Sequence, residues 1–221
     1  MKRITIFTGH YGSGKTENAI NYALKLKEQG EEVVIVDLDI VNPYYRTKDA
    51  EIFLQEKGIE VISPLFANTN VEMMTLPSDV YKVFANKSKK VIFDVGGDDD
   101  GATALGQYFS HFQNDSYDMF VVINTKRPLT ETKENIIIIL LGIAEKSRLK
   151  PTGLINNTNI AADTRIEDIK DGEKVVLEVS KELDVPFIWS TVKEDLAEEY
   201  KKHTEHEVMP LHKFMVMPWQ E

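Results

Sequence analysis

Residues 9–16 of the chain, Gly-His-Tyr-Gly-Ser-Gly-Lys-Thr, match the phosphate-binding loop G-x-x-x-x-G-K-[ST] at every required position. Glycines let a backbone close around a polyphosphate with successive N–H groups pointing inward, and the N-terminus of a following helix adds partial positive charge. In such a loop Lys15 reaches the outer phosphates and the Thr16 hydroxyl ligates magnesium. The motif predicts a nucleoside triphosphate site; a glycine-rich strand-to-helix turn without a ligand is the alternative. The predicted nucleotide-binding residues of the loop are Gly9, His10, Tyr11, Gly12, Ser13, Gly14, Lys15 and Thr16.

Two carboxylates follow the next hydrophobic run of the chain. Residues 33–39 end with Asp37 and Asp39, which lie at positions i and i+2 and therefore on the same side of an extended chain. One of them can complete the magnesium shell while the other orients a water. We expect Asp39 to be a magnesium ligand and, with Lys15, a catalytic residue; the alternative is that Asp39 only caps a turn.

A third hydrophobic run, residues 90–97, ends in Asp94 followed by a valine and two glycines. Asp94 fits the second magnesium carboxylate that is found opposite phosphate loops. The glycines let the chain approach a γ-phosphate, so Gly97 is a predicted nucleotide-binding residue. A strand-terminal aspartate that only forms a turn is the alternative. The three aspartates at 98–100 favour a solvated helix entry over a catalytic role.

The elements that must position these residues alternate along the chain, because short β-branched runs predict strands and longer amphipathic stretches predict helices. The predicted strands are residues 4–8, 33–37, 60–62, 90–95, 119–124, 152–156 and 187–190. The predicted helices are residues 15–29, 48–57, 78–86, 102–112, 130–146, 166–183 and 194–201. This order predicts an α/β fold, the P-loop NTPase three-layer α/β/α sandwich, with a mainly parallel sheet of about seven strands and ligands at the strand carboxyl ends.

Composition restricts the function classes. The 221 residues, 42% hydrophobic and 28% charged, fit a single domain over 1–221, in which residues 205–221 favour no particular element. The absence of cysteine excludes iron–sulfur clusters and thiolate zinc sites and is consistent with a cytoplasmic location. A net charge of −10 argues against a nucleic-acid partner. We expect no membrane partner, since the longest apolar run, 136–144, is short and the first residues make no signal peptide.

The loop at 9–16, the Val-Asp-Leu-Asp sequence at 36–39 and the Asp-Val-Gly-Gly sequence at 94–97 resemble the deviant-Walker-A ATPases of the MinD, ParA, Mrp and nitrogenase-iron-protein group, the CobQ/CobB/MinD/ParA nucleotide-binding domains. The resemblance implies ATP and magnesium as ligands, Asp39 supporting hydrolysis from a switch I segment, and switch II at 94–97. It also implies that an asparagine at the end of a later strand recognises adenine, which points to Asn156. A buried asparagine that satisfies loop backbone is the alternative.

One loop position departs from this group. Its members typically carry, as the second loop residue, a lysine that reaches across an ATP-sandwiched dimer, and here that residue is His10. Histidine lacks an obligatory charge near neutral pH, so we expect ATP-driven dimerisation to be weak, while a homodimer through another surface stays compatible with the sequence. The missing cysteines exclude the thiolates of Mrp-like cluster carriers, and residues 211–218 are not the basic amphipathic helix that MinD uses on membranes.

Two function classes follow from these observations. The leading one is an ATP-hydrolysing switch of slow intrinsic turnover, in which the γ-phosphate orders the segments after Asp39 and Asp94 and so controls a protein partner or self-association. The alternative is an ATP-dependent small-molecule kinase, synthetase or ligase that resembles dethiobiotin synthetase. A GTP-dependent metallochaperone fits less well. The guanine-reading [NT]-K-x-D pattern is interrupted where residues 125–127, Thr-Lys-Arg, continue to Pro128, and the histidines near the end of the chain are scattered.

Overall fold

A parallel sheet of eight strands forms the centre of the described structure. The computed structural model describes residues 2–39, 50–63 and 79–214. The strands are β1 (Ile4–Thr8), β2 (Val33–Leu38), β3 (Glu60–Ile62), β4 (Lys90–Val95), β5 (Tyr117–Ile123), β6 (Gly153–Asn156), β7 (Phe187–Lys193) and β8 (Val208–Leu211). Their order in the sheet is β3-β2-β4-β1-β5-β6-β7-β8. The first strand therefore lies in the interior of the sheet, between β4 and β5.

Helices occupy the connections between strands, as parallel pairing requires. They are α1 (Lys15–Glu28), α2 (Glu51–Glu56), α3 (Val80–Ala85), α4 (Asp98–Gly106), α5 (Phe109–Gln113), α6 (Lys133–Ser147), α7 (Ile166–Leu183) and α8 (Glu194–Tyr200), with a short 3₁₀ turn at Ala161–Asp163. The described helices contain no segment that is both long and apolar enough to cross a membrane.

Both faces of the sheet are covered by helices. On one face Ile20 of α1 and Leu54 of α2 pack with Ile35 and Ile92 of the sheet. Neighbouring positions of the same strands point to the opposite face, where they join a second cluster that α3 to α7 close. Strands that are buried on both sides need apolar residues at successive positions, which is why β2 reads Val-Val-Ile-Val before its first aspartate.

The predicted P-loop NTPase α/β fold is confirmed, and the sheet is parallel throughout the described residues. It contains one strand more than predicted, because β8 lies within 205–221, where the sequence favoured no element. Two features hide this strand: it has four residues, and one of them is Pro210. Proline removes a backbone donor and is tolerated at the edge of a sheet, which is where β8 lies.

The helix predicted at 102–112 is instead two helices. The first, α4, begins already at Asp98, and the second, α5, begins at Phe109. A Cβ atom at Gly106 would lie 2.7 Å from the carbonyl oxygen of Lys146, so α4 ends where its backbone touches α6. Close backbone approach thus accompanies the break in the helical pattern.

The last described residues run along α1. The Asn21 side chain forms two hydrogen bonds with the backbone of His212, each 2.9 Å long. The backbone N–H of Phe214 donates to the Glu17 carboxylate, and its ring packs on Phe53 at 5.0 Å between centroids. The segment after β8 is therefore docked on the helix that begins at the phosphate-loop motif.

Candidate nucleotide-binding site

The phosphate-loop motif lies where the sequence placed it, between the carboxyl end of β1 and the first turn of α1. Because β1 pairs with β4 on one side and β5 on the other, the loop lies at the point where the chain connections diverge. Ligands of open parallel sheets bind at this kind of crevice. The predicted contacts from Gly9 to Thr16 are thus in one continuous turn at the carboxyl edge of the sheet.

Three consecutive carbonyl groups of the loop each accept a hydrogen bond from a side chain outside the motif. Gly12 O accepts from Arg127 Nε at 3.2 Å, Ser13 O from Asn157 Nδ2 at 2.6 Å, and Gly14 O from Asn18 Nδ2 at 2.9 Å. In a trans peptide the C=O and N–H groups point in opposite directions. The N–H groups that follow the carbonyls of Ser13 and Gly14 therefore point away from these donors, which is what an anion cradle requires.

The donor to Gly14 is itself fixed by a buried chain of hydrogen bonds. Trp189 Nε1 donates to Thr191 Oγ1 at 3.0 Å, and Thr191 Oγ1 donates to Asn18 Oδ1 at 2.6 Å. Trp189 and Asn18 are fully buried and Thr191 nearly so. The loop is thereby tied to β7, three strands away from β1 in the sheet.

Gly14 needs to be glycine for two reasons. Its φ of 89° is in the left-handed region that side chains disfavour. A Cβ atom there would also overlap with Nδ2 of Asn157. The motif glycine and the asparagine after β6 therefore form one packed unit.

The Lys15 side chain is buried at the candidate site. Only 7% of the residue is exposed, and its Nζ donates to the carbonyl oxygen of His10 at 3.1 Å. A Cβ atom at Gly97 would lie 3.4 Å from Lys15 Nζ and 2.9 Å from the backbone nitrogen of Tyr11. Glycine at 97 lets the segment after β4 come this close to the loop. Ser13 Oγ is buried near Gly9 with no hydrogen-bond partner among the described residues, so its hydroxyl is able to donate to a ligand.

The predicted carboxylates lie next to this loop. Asp94 is opposite Asp37 in the β2–β4 register and opposite Phe7 of β1, and both aspartates are 1% exposed. The backbone N–H of Asp39 donates to Asp37 Oδ1 at 2.9 Å, and a Cβ atom at Gly96 would lie 3.0 Å from Asp39 Oδ1. The carboxyl ends of β2 and β4 are thus in contact. The remainder of the predicted switch I segment, 40–43, belongs to the stretch 40–49, which lies outside the described residues.

Asn156, the predicted adenine contact, is fully buried. Its Nδ2 donates to the carbonyl oxygen of Ile169 at 3.1 Å and to Ser190 Oγ at 3.0 Å, and its Oδ1 accepts from the Thr158 N–H at 3.2 Å. These three hydrogen bonds are the ones expected for the alternative role, in which a buried asparagine pairs with neighbouring polar groups of the protein. The adenine role of Asn156 stays a prediction.

The loops after β5 and β6 are joined to each other beside the phosphate loop. Asn124 Nδ2 donates to the carbonyl oxygen of Asn159 at 3.1 Å, and Thr125 and Thr158 share a hydrogen bond between their hydroxyl groups. The Lys126 ammonium contacts Asp168 in the first turn of α7 at 2.8 Å. A hydrogen bond from Lys126 and a second from a backbone N–H lower the pKa of Asp168. Two loops and a helix N-terminus thus form one wall.

The two side chains of this wall that touch the loop, Arg127 and Asn157, were absent from the predicted contacts. Both stand in stretches that the sequence had marked, Asn157 next to Asn156 and Arg127 in the interrupted [NT]-K-x-D pattern. Successive residues at a strand end point to opposite faces, and the pattern does not say which one faces the loop. The described residues include no group of three or more His, Cys, Asp or Glu side chains arranged for a metal ion.

A glycine-rich loop after β1, at the interior of a parallel sheet covered by helices, defines a fold of the P-loop NTPase class. Solved structures of FtsY share it. These are the cell division protein FtsY of Thermotoga maritima (TM-score 0.59, 18% identity, 86% of this chain and 62% of that chain), the signal recognition particle receptor FtsY of Elizabethkingia anophelis in complex with GDP (0.56, 16%, 87% and 58%) and FtsY of Mycoplasma mycoides (0.60, 16%, 85% and 59%).

At these identities the likeness concerns the fold alone. The chain spans 62% or less of the length of these three FtsY chains. Neither a protein-family model nor a curated protein matches the sequence. The chemistry of the site has to be argued from its own residues.

The contact between Gly14 and Asn157 gives a first prediction. Asn157→Ala removes the donor to Ser13 O and should lower the free energy of unfolding by about 1–2 kcal/mol. Gly14→Ala should cost more, because a side chain at this φ costs about 1–2 kcal/mol and also overlaps with Asn157. In the Asn157→Ala background the overlap disappears, so Gly14→Ala should then cost less.

Urea unfolding of the two single variants and the double variant measures this coupling. Asn114→Ala is the matched control, since the amide of this exposed asparagine bonds only to a backbone carbonyl of its own helix. Strictly additive effects at positions 14 and 157 would contradict the described contact.

Proposed function

We propose that this chain is a magnesium- and ATP-binding P-loop ATPase that acts as a nucleotide-dependent switch for a protein partner or for self-association. The observation that carries the proposal is the loop at 9–16, whose outer carbonyls are held by three side chains while Lys15 is buried beside Gly97. Fixed N–H groups and a buried ammonium on one concave side suit a polyphosphate, because they need no reorganisation when the anion binds.

Thr16, Asp39 and Asp94 are the proposed magnesium residues. Proteins usually bind Mg²⁺ through one or two carboxylates together with substrate phosphates rather than through a complete protein cage. The strand ends that carry the two aspartates are in contact, and Thr16 lies in the first turn of the helix that follows the loop. The ion would supply charge neutralisation for the terminal phosphates.

The contact between Asp39 and Gly96 supports the switch role. Gly97, the residue after Gly96, lies close to Lys15 Nζ, and α4 begins at Asp98. A γ-phosphate held by Lys15 would therefore contact the segment after β4, and Asp39 would respond to it through the contact with Gly96. Switches of the P-loop class convert hydrolysis into order and disorder of such segments. Slow intrinsic turnover suits this use.

ATP is proposed over GTP from the sequence. Pro128 stands where a guanine-reading aspartate would be, and the resemblance to the MinD group implies ATP. GTP remains the necessary competitor in any assay, since one of the FtsY neighbours was solved with GDP. Hydrolysis of ATP without a second substrate would separate the switch from the ligase alternative.

Lys15→Ala should abolish triphosphate binding and leave the fold intact, because its ammonium is the one side-chain cation of the motif. Binding at 100 times Kd stabilises a native state by about 2.7 kcal/mol. Thermal unfolding with and without Mg-ATP measures this shift. Lys150→Ala is the control for charge, since Lys150 is exposed and precedes β6 at the opposite edge of the sheet. Equal Mg-ATP-induced shifts of the unfolding temperature in the wild type and Lys15→Ala would contradict the proposed function.

Competition titrations should give tighter binding of ATP than of GTP. One well-made hydrogen bond to a base edge is worth about 1–3 kcal/mol of discrimination when the wrong base leaves it unmade. A preference for ATP of about tenfold or more is therefore expected. Asn156→Ala should retain this preference if the observed hydrogen bonds to Ile169 and Ser190 are its main role and lose it if the residue recognises adenine. Equal affinities in the wild type would contradict ATP specificity but not phosphate binding.

Asp39→Asn and Asp94→Asn should have separable effects. Asp39→Asn should retain ATP binding and slow turnover, whereas Asp94→Asn should raise the magnesium concentration needed for binding, because each loses a charge in a different role. Magnesium titrations of ATP binding and steady-state hydrolysis distinguish the two. Asp100→Asn, at an exposed residue in the first turn of α4, is the control. Wild-type turnover and unchanged KM in Asp39→Asn would show that its proposed role is wrong.

A further inference from the structure

The two sides of the phosphate loop carry different groups. On the β4 side are Asp94 and Gly97, with Lys15 Nζ close to the latter. On the β5 side are Arg127 and Asn157, which contact the outer carbonyls. Under the proposed function the terminal phosphate and magnesium belong with Lys15 and Asp94. The nucleoside must then leave the loop on the opposite side, toward the wall formed by the loops after β5 and β6.

Arg127 is the cation of this wall that touches the loop. Besides the hydrogen bond from Nε to Gly12 O, its side chain lies along the loop. A Cβ atom at Gly12 would be 3.5 Å from Nε and 3.8 Å from both Cδ and Cζ. These distances show that the Arg127 side chain passes Gly12 from Cδ to Cζ. The Nε–H edge of the guanidinium is therefore occupied by the hydrogen bond to Gly12 O.

The backbone of Arg127 is held in a tight turn. Its N–H donates to Asn124 O at 3.2 Å, and its carbonyl oxygen accepts from both the N–H and the hydroxyl of Thr130 at 3.2 Å. Leu129, inside this turn, adopts a φ of 66°, a conformation that a bulky side chain takes only when its surroundings impose it. The arginine is thus presented from a preorganised loop, which lowers the entropic cost of using it for binding.

Arg127 forms no ion pair within the described part of the chain. Its neighbour Lys126 pairs with Asp168, whereas no described carboxylate lies within 4.0 Å of the Arg127 guanidinium. Its Nη groups form no hydrogen bonds to described residues, and the side chain is exposed. A planar cation that is fixed at Nε and exposed to solvent is suited to stack on an aromatic ring.

We infer that Arg127 is the base-contacting residue of the site, and this inference rests on the proposed function. Its guanidinium plane stacks on the nucleobase while Nε remains bonded to Gly12 O. Stacking requires an aromatic face but no particular hydrogen-bonding edge, so Arg127 strengthens binding of both purines and is not the source of the preference for ATP. Purines gain more than pyrimidines because their face is larger.

Binding of ATP, GTP, UTP and inorganic tripolyphosphate to the wild type, Arg127→Ala and Arg127→Lys tests this role. Arg127→Ala should weaken ATP and GTP binding by about 5- to 20-fold, the range of a partly desolvated cation–π contact. UTP should lose less, and tripolyphosphate, which has no base, should bind as in the wild type. Arg127→Lys keeps the charge but loses the plane, so its affinity for purine nucleotides should lie between the two. Lys150→Ala is the control for net charge.

A fluorescent base gives an independent signature. The triphosphate of 2-aminopurine riboside should be quenched by stacking in the wild type and less quenched in Arg127→Ala at saturating ligand. An equal loss of ATP and tripolyphosphate affinity in Arg127→Ala would overturn the inference in favour of a phosphate contact. Unchanged ATP affinity would overturn it as well. A wild-type protein that binds neither ATP nor tripolyphosphate would remove the proposed function together with the inference.

Discussion

The orientation of two peptide groups in the phosphate loop is the constraint on which the candidate site depends. The carbonyls of Ser13 and Gly14 would otherwise be free to rotate with the flexible glycine backbone, and a cradle of N–H groups exists only if they do not. Each of the two hydrogen bonds that hold them is worth about 1 kcal/mol by itself. Asn157 follows β6, and Asn18, although only four residues from Gly14, is itself held by Thr191 of β7, so the assembled sheet contributes to the shape of the loop.

The same arrangement explains how an acidic protein can offer an anion site. The chain has a net charge of −10, and aspartates lie at the ends of both β2 and β4. Under the proposed function, attraction for a triphosphate has to come from groups fixed close to it: the loop N–H groups, the N-terminus of α1 and Lys15. Short-range fixed dipoles act where screening by solvent is weakest. Under the proposed function the aspartates contribute only together with magnesium.

The sequence was sufficient for the fold because its strands are buried on both faces and therefore read as continuous apolar runs. It was also sufficient to place the motif, since both ends of the loop are marked by glycine. It was not sufficient for β8, where four residues with a proline carry too little pattern. Nor did it predict the division of one helix into α4 and α5, which coincides with a close backbone contact to α6. The residues that hold the loop from outside are separated from it by long stretches of chain, and single-sequence patterns do not contain such contacts. Asn156 and Asn157 illustrate the limit, because adjacent identical residues point in opposite directions.

The distance along the chain between the loop and the residues that hold it bears on how the protein is made. Gly12 is separated from Arg127 by 115 positions, Ser13 from Asn157 by 144, and Asn18 from Thr191 by 173. Chains emerge from the ribosome N-terminus first, so the motif is synthesised before the residues that hold it. The hydrogen bonds that fix the loop are complete only after β7 has been made and has joined the sheet. Under the proposed function, the nucleotide site would therefore be completed late, after most of the described strands have been made.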